Sequence, residues 1–299
     1  MPAVAENRYL DPQVLAGISS LDLVAKTVVD GFIAGLHRSP DFGFSQEFAE
    51  YRAYTPGDDL RHVDWNVFAR TERAYLKRYR GETNTEVIVL LDTSASMAFG
   101  SSPVRKIDYA KFLAASIVYL ANLQRDGIGI ITFHDEVSNY VPPSGRQGQL
   151  MRLLHAIDRA TLGERTNFAA PFFQLQQLVR RRGITVLISD FFEQPDTILD
   201  TLAPLRARGQ ELILLHVLDR QELEPKFGAS VMLIDMETGD TLETTPDYAR
   251  SEYGTKIARH IKDLKMKSEG VGVDYFLLST DRPLDEALRE YFHIRHRRN

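Results

Sequence analysis

Five short apolar runs constrain this chain more than any other feature: "VIVLL" at 87–91, "IGIITF" at 128–133, "ITVLI" at 184–188, "LILLHVL" at 212–218 and "VDYFLL" at 273–278. Most are continuous rather than alternating, the pattern of strands covered on both faces of a largely parallel sheet. Between the first two lies "KIDYAKFLAASIVYLANLQ", where Ile107, Ala110, Ala114, Ile117 and Ala121 fall on one helical stripe. Comparable helices are expected at 149–160, 167–182, 196–208, 247–267 and 284–293. This alternation predicts an α/β fold over 85–299: a doubly wound, mainly parallel sheet. "VMLIDMETGDTLETT" reads as a hairpin inserted near 231–245, with "TGD" as its turn. Residues 1–84 read as an N-terminal helical and irregular region: apolar residues at helical intervals from Leu10 to Leu36, then a polar, aromatic segment expected to pack on the sheet domain.

Composition narrows the function classes. With 299 residues and 43% hydrophobic content the chain can bury a sizeable core. Its 36 basic and 41 acidic residues give a formal net charge of −5, so no overall basic field attracts nucleic acid or an anionic membrane. The absence of cysteine excludes disulfides, thiolate nucleophiles and cysteine-ligated zinc, and fits a reducing compartment. The opening "MPAVAENRYLDPQ" places charges where a signal peptide needs its apolar region, and no window approaches about 18 consecutive apolar residues. The expectation is a cytoplasmic protein without a membrane span.

Chemistry concentrates at the end of the first run. In "EVIVLLDTSASMAFG", Asp92, Ser94 and Ser96 occupy alternate positions, and in a locally extended chain such positions project to the same side. The carboxyl ends of parallel strands are where doubly wound sheets bind ligands. One carboxylate and two hydroxyls make a hard, oxygen-only site suited to magnesium or manganese rather than zinc. Further ligands should come from other strand ends. Thr166 precedes the helix "NFAAPFFQLQQLVRRR", and Asp190 closes "ITVLISD".

In that order these residues resemble the von Willebrand factor A domain, whose metal-ion-dependent adhesion site is Asp-x-Ser-x-Ser plus a distant Thr and Asp. The resemblance covers roughly 85–295 as an order of elements. It implies a divalent ion held by Ser94, Ser96 and Thr166, with Asp92 and Asp190 bonded directly or through water. Two departures stand out: A domains often carry Gly before the Thr and after the final Asp, where this chain has Arg165 and Phe191. Thr161 is consequently a rival to Thr166. Phe191 and Phe192 are candidate partner-binding anchors, since aromatic residues are enriched among interface hot spots.

The segment "EFAEYRAYTPGDDLRHVDWNVFARTERAYLKRYRGE" is similar to a bacterial family catalogued only as a domain of unknown function, often found beside MoxR-type AAA+ ATPases. Tyr51, Arg52, Tyr54, Pro56, Gly57, Asp58, Asp59, Arg61, Asp64, Trp65, Ala69 and Arg70 stand where that signature has them. Pro56-Gly57 is also a turn signal, and Arg61 with Asp58, Asp59 and Asp64 can form a structural ion network. The resemblance implies an adaptor for a MoxR-type ATPase in protein maturation or complex assembly, taking an acidic residue from the ATPase or its client.

An enzyme is the competing class, a divalent-metal-dependent hydrolase of phosphoesterase type. Haloacid-dehalogenase-type phosphatases also begin with an Asp after an apolar strand, but their second Asp falls two residues on, where this chain has Ser94. "PSGRQGQL" lacks the Gly-Lys-Ser/Thr of an ATP-binding loop. The sequence therefore reads as a binding module rather than an enzyme.

Overall fold

The computed structural model describes residues 11–36, 48–53, 75–79, 85–163, 169–179, 181–225, 231–234, 241–244, 252–285, 287–289 and 291. The chain divides into two units, 1–32 together with 85–299, and 33–84. The described residues 11–32 thus fall in the sheet-bearing unit. In the larger unit, α1 (Pro12–Leu15) begins with Pro12 behind the Asp11 cap, whose carboxylate accepts the Gln13 N–H. It leads into α2 (Leu21–Leu36), which belongs to this unit up to Phe32 and where Val24, Ala25, Val28, Val29 and Phe32 form a buried stripe at helical spacing. In the smaller unit, β1 (Phe48–Ala53) and β2 (Tyr75–Tyr79) form an antiparallel ladder in which Tyr51 faces Lys77 and Arg52 faces Leu76. Of the signature residues, Tyr54, Pro56, Gly57, Asp58, Asp59, Arg61, Asp64, Trp65, Ala69 and Arg70 lie outside the described residues.

The remaining strands build the expected sheet: β3 (Glu86–Asp92), β4 (Gly127–Phe133), β5 (Val137–Ser144), β6 (Gly183–Ser189), β7 (Glu211–Leu218) and, after the hairpin β8 (Val231–Ile234) with β9 (Thr241–Thr244), β10 (Asp274–Ser279). The order across the sheet is β10-β7-β6-β3-β4-β5. All of its ladders are parallel except β4 with β5. The chain leaves β3 toward β4 on one side and later returns to β6 on the other, which makes the β3–β6 boundary the topological switch point.

Both faces are covered, which explains the continuous apolar runs. Ile88, Leu90, Ile131, Phe133, Leu187, Leu212 and Leu214 share one cluster with Phe172, Leu175, Ile198, Leu202 and Leu264. The last five come from the helices Ala169–Leu178, Pro195–Ala207 and Gly254–Gly270. Val87, Val89 and Leu91 point the opposite way, where α3 (Lys106–Leu123) packs on β3, β4, β6 and β7. The antiparallel edge strand β5 was not among the five runs. Pro142 and Pro143 disguise it, and such residues are tolerated because an edge strand can spare ladder donors. Opposite them the register shifts between Ile128 and Ile130, where a side chain on Gly129 would meet Pro143 at 2.8 Å.

Gly183 marks the tightest approach between the two strands that carry the site. A Cβ there would lie 2.1 Å from the Glu86 carbonyl oxygen, a backbone atom of the paired strand. Gly183→Ala should therefore destabilise the protein by about 1–3 kcal/mol. The entropic gain of about 0.4–1 kcal/mol from stiffening the unfolded chain is too small to offset this. Urea denaturation measures the difference, and a midpoint equal to wild type would contradict the close approach.

Candidate metal and partner site

The β3 strand delivers Asp92 to the switch point, and the chain beyond it is pinned to β4. The Thr93 N–H and hydroxyl both donate to the Phe133 carbonyl, at 2.8 and 2.9 Å. Ser94 then opens a 3₁₀ turn, Ala95–Ala98, anchored by the fully buried Met97. These constraints fold the motif onto itself. The Ser94 N–H donates to Asp92 Oδ1 at 2.8 Å, and the Ser94 and Ser96 hydroxyl oxygens lie 3.1 Å apart. Asp92, Ser94 and Ser96 converge, but through this turn rather than along the extended chain that their alternate spacing suggested.

Asp190 follows β6, the neighbour of β3 across the switch point, and is 3% exposed. The Ser189 hydroxyl, one residue earlier, donates to Asp92 Oδ2 at 2.6 Å and receives the Phe191 N–H at 3.0 Å. Thr166 lies outside the described residues. Its rival Thr161 is exposed. Two residues further on, the Gly163 N–H donates to the Thr93 carbonyl at 2.8 Å. That segment passes so close to His134 that a side chain on Gly163 would meet its ring at 2.4 Å.

The two phenylalanines after Asp190 part company. Phe192 is 48% exposed, whereas Phe191 is 1% exposed and unavailable as a surface anchor. The reason is backbone geometry. Phe191 adopts φ 47°, a left-handed conformation that favours glycine, and this turns its ring inward onto the edge of His216 with centroids 5.4 Å apart. His260 Nε2–H donates to the Phe191 carbonyl at 2.9 Å, and His216 Nδ1 lies 2.6 Å from the Tyr275 hydroxyl. Burial pulls His216 down to about 3, so it stays neutral.

Three participants were not anticipated: Ser189, Lys106 and Glu222. Lys106 is the first residue of α3, and its ammonium bridges Asp190 Oδ2 at 2.8 Å and Glu222 Oε1 at 2.7 Å. Glu222 belongs to a four-residue helix, Arg220–Leu223, capped by Asp219 at the end of β7. The other Glu222 oxygen accepts the Asp219 N–H at 2.8 Å. Burial alone would lower the Lys106 ammonium, but Asp190 and Glu222 outweigh it and hold it above the usual lysine value. A lysine at a helix start opposes the helix dipole, and that local misfit was the one signal available in the sequence.

The electrostatics favour a further cation. Burial, then the charge of Asp190, raises Asp92 to about 6 against the opposing bonds from Ser189 and Ser94. Glu222 is also raised by burial, with Asp190 adding to the effect and Lys106 resisting it. Among the described residues no cation pairs with Asp92, and no three of His, Asp or Glu gather as a metal-binding group. An ion here would rely on hydroxyls as well as carboxylates. Each Asp92 oxygen and both serine hydroxyls retain acceptor capacity, so this donor set fits a hard divalent ion.

The fold and the site together define a doubly wound α/β domain with a carboxylate and hydroxyl cluster at its switch point. The chain belongs to the family described as Protein of unknown function DUF58, which matches residues 50–263. It is 31% identical over 287 residues to "Uncharacterized protein Mb1516" of Mycobacterium bovis, spanning 94% of this chain and 89% of that one. Among solved structures it is similar to the conserved hypothetical protein BatB from Bacteroides thetaiotaomicron, at 17% identity and a TM-score of 0.47, over 71% of this chain and 99% of that one. It is also similar to the SpRpn10 VWA domain, at 11% identity and a TM-score of 0.40, over 68% and 93%. No described helix is long and apolar enough to cross a membrane.

The raised Asp92 sets a pH dependence in metal-free protein. Its folded value of about 6 exceeds the ordinary aspartate value of 3.8, so the folded chain binds the proton more tightly than the unfolded one. The resulting stability is present below the unfolded value and is lost as pH rises through the folded one. In thermal scans with a chelator, Asp92→Asn should melt above wild type at about pH 7.5, and the gap should close on acidification to about pH 4. A gap that does not change with pH would show that the Asp92 charge is compensated.

Proposed function

We propose that this protein is a metal-dependent protein–protein interaction module, an adaptor for a MoxR-type AAA+ ATPase in protein maturation or complex assembly. The observation that carries the reading is the convergence of Asp92, Ser94 and Ser96 beside Asp190 at the switch point, with Asp92 and Ser94 buried and no cation paired with Asp92 among the described residues. Ser94, Ser96 and Thr166 would hold magnesium or manganese, with Asp92 and Asp190 bonded directly or through water. When bound, the ion supplies local positive charge that attracts a partner's Asp or Glu despite the net −5 of the chain. The chain's own residues supply the rest of the contact. Phe192 and Phe99 are 48% and 36% exposed and lie beside the site, where they can bury area against the partner. The MoxR assignment draws on the family resemblance of the signature segment.

Magnesium or manganese should raise the melting temperature of wild type by mass action, and Asp92→Ala should abolish that rise with the fold retained. Association with the cognate ATPase should be lost both in a chelator and in Ser94→Ala plus Ser96→Ala. Equal affinity in all conditions would sink the metal bridge. Turnover of generic phosphoesters with either metal, lost in Asp92→Ala, would favour a hydrolase instead.

A further inference from the structure

Asp190 already has a cation. The Lys106 side chain is fully buried, with Asp190 and Glu222 only 4% and 12% exposed around it. The ring centroids of Phe192 and Phe99 lie 4.8 and 5.8 Å from its ammonium nitrogen. A lysine stem carries a compact charge on four flexible carbons, so its head can shift between acceptors without moving the helix. An ammonium and a divalent ion compete for the same carboxylate lone pairs.

We propose that Lys106 is a tethered counter-cation of the site, which holds Asp190 in the metal-free protein and moves off it onto Glu222 when a divalent ion is taken up. The inference rests on the reading of Asp92, Ser94 and Ser96 as cation ligands. Glu222 is suited to receive the ammonium because its second oxygen is fixed by the Asp219 N–H and the bond to Lys106 already exists. Lys106 therefore never loses all its partners, which matters because an unpaired buried charge is strongly destabilising. Lys106 is the one ammonium bonded to Asp190 and Glu222 among the described residues, and Asp92 is met only by Ser94 and Ser189. Lys106 is on this view a positioning residue that lowers the affinity of the site and makes cation uptake a displacement.

The test is manganese binding by calorimetry to wild type, to Lys106→Met, and to Lys106→Met with Glu222→Gln, which leaves the local charge unchanged. Circular dichroism reports whether each variant folds. Both variants should bind at least about tenfold more tightly than wild type, a difference well resolved by calorimetry. Tighter binding by the charge-balanced pair separates displacement from general electrostatics. In wild type the Lys106 ¹⁵Nζ resonance should also shift on adding magnesium, a readout that needs no variant. Equal or weaker binding by folded variants, or an unmoved Lys106 resonance at saturating magnesium, would overturn the proposal while leaving the metal reading intact. Binding by the charge-balanced variant but not by wild type would support Lys106 as the resident cation and overturn the metal reading for the native chain. No binding by any of the three proteins would overturn both.

Discussion

The buried bridge from Lys106 to Asp190 and Glu222 ties together segments 84 and 116 residues apart. It joins the start of α3, the end of β6 and the short helix after β7. Its contribution is better read as geometry than as net stability. A buried ion pair is often no more stabilising than an apolar replacement, yet breaking one partner away costs about 3–5 kcal/mol. The neighbouring contacts follow the same lines. The Lys106 N–H donates to the Phe99 carbonyl at 2.9 Å, closing the loop after the 3₁₀ turn, and the Ser101 hydroxyl and N–H both donate to Asp219. The loops after β3, β6 and β7 are thus held by polar bonds around charges that cannot leave.

This frame explains why a cluster of buried carboxylates persists inside a folded protein. Each carboxylate there has donors that require it: Ser94 and Ser189 for Asp92, Lys106 for Asp190 and Glu222, and Ser101, Gln221 and Thr280 for Asp219. Hydrogen bonds to the ionised form favour it, and burial opposes it. At Asp92 burial wins, and the carboxyl stays near 6. At Lys106 the two carboxylates win over burial. The opposite outcomes follow from the partners: the Asp92 carboxylate is met by a backbone N–H and a hydroxyl, the Lys106 ammonium by two carboxylates.

How much of this was legible in the sequence follows from the range of each interaction. The five parallel strands were visible because burial on both faces leaves a continuous apolar run, and Asp92, Ser94 and Ser96 because the three lie within five residues just after a recognisable strand, although a 3₁₀ turn rather than an extended strand end gathers them. The edge strand β5 was hidden by its prolines, whose tolerance depends on lying at the edge. Lys106, Ser189 and Glu222 were hidden for a different reason. Their partners lie 84 to 116 residues away, and apart from the misfit of Lys106 with its helix dipole each in isolation looks like an ordinary solvated helix or strand terminus. The Asp190 assignment came from order of elements alone, and its lysine partner could be recognised only once α3 was laid across the sheet.

Phe191 shows how the two kinds of information interact. The residue after Asp190 was noted as a departure from the glycine common in A domains, and the backbone there does take the left-handed conformation glycine favours, at φ 47°. A bulky residue in such a region costs on the order of 1–3 kcal/mol. Burying a phenylalanine side chain returns about 1.5–3 kcal/mol, before counting ring contacts. The backbone is also clamped on both sides, its N–H by Ser189 and its carbonyl by His260. Burial and the two clamps together outweigh the strain, so the substitution is tolerated. It also has a structural consequence. The inward ring fills the space against His216, and the next residue, Phe192, is left half exposed beside Lys106.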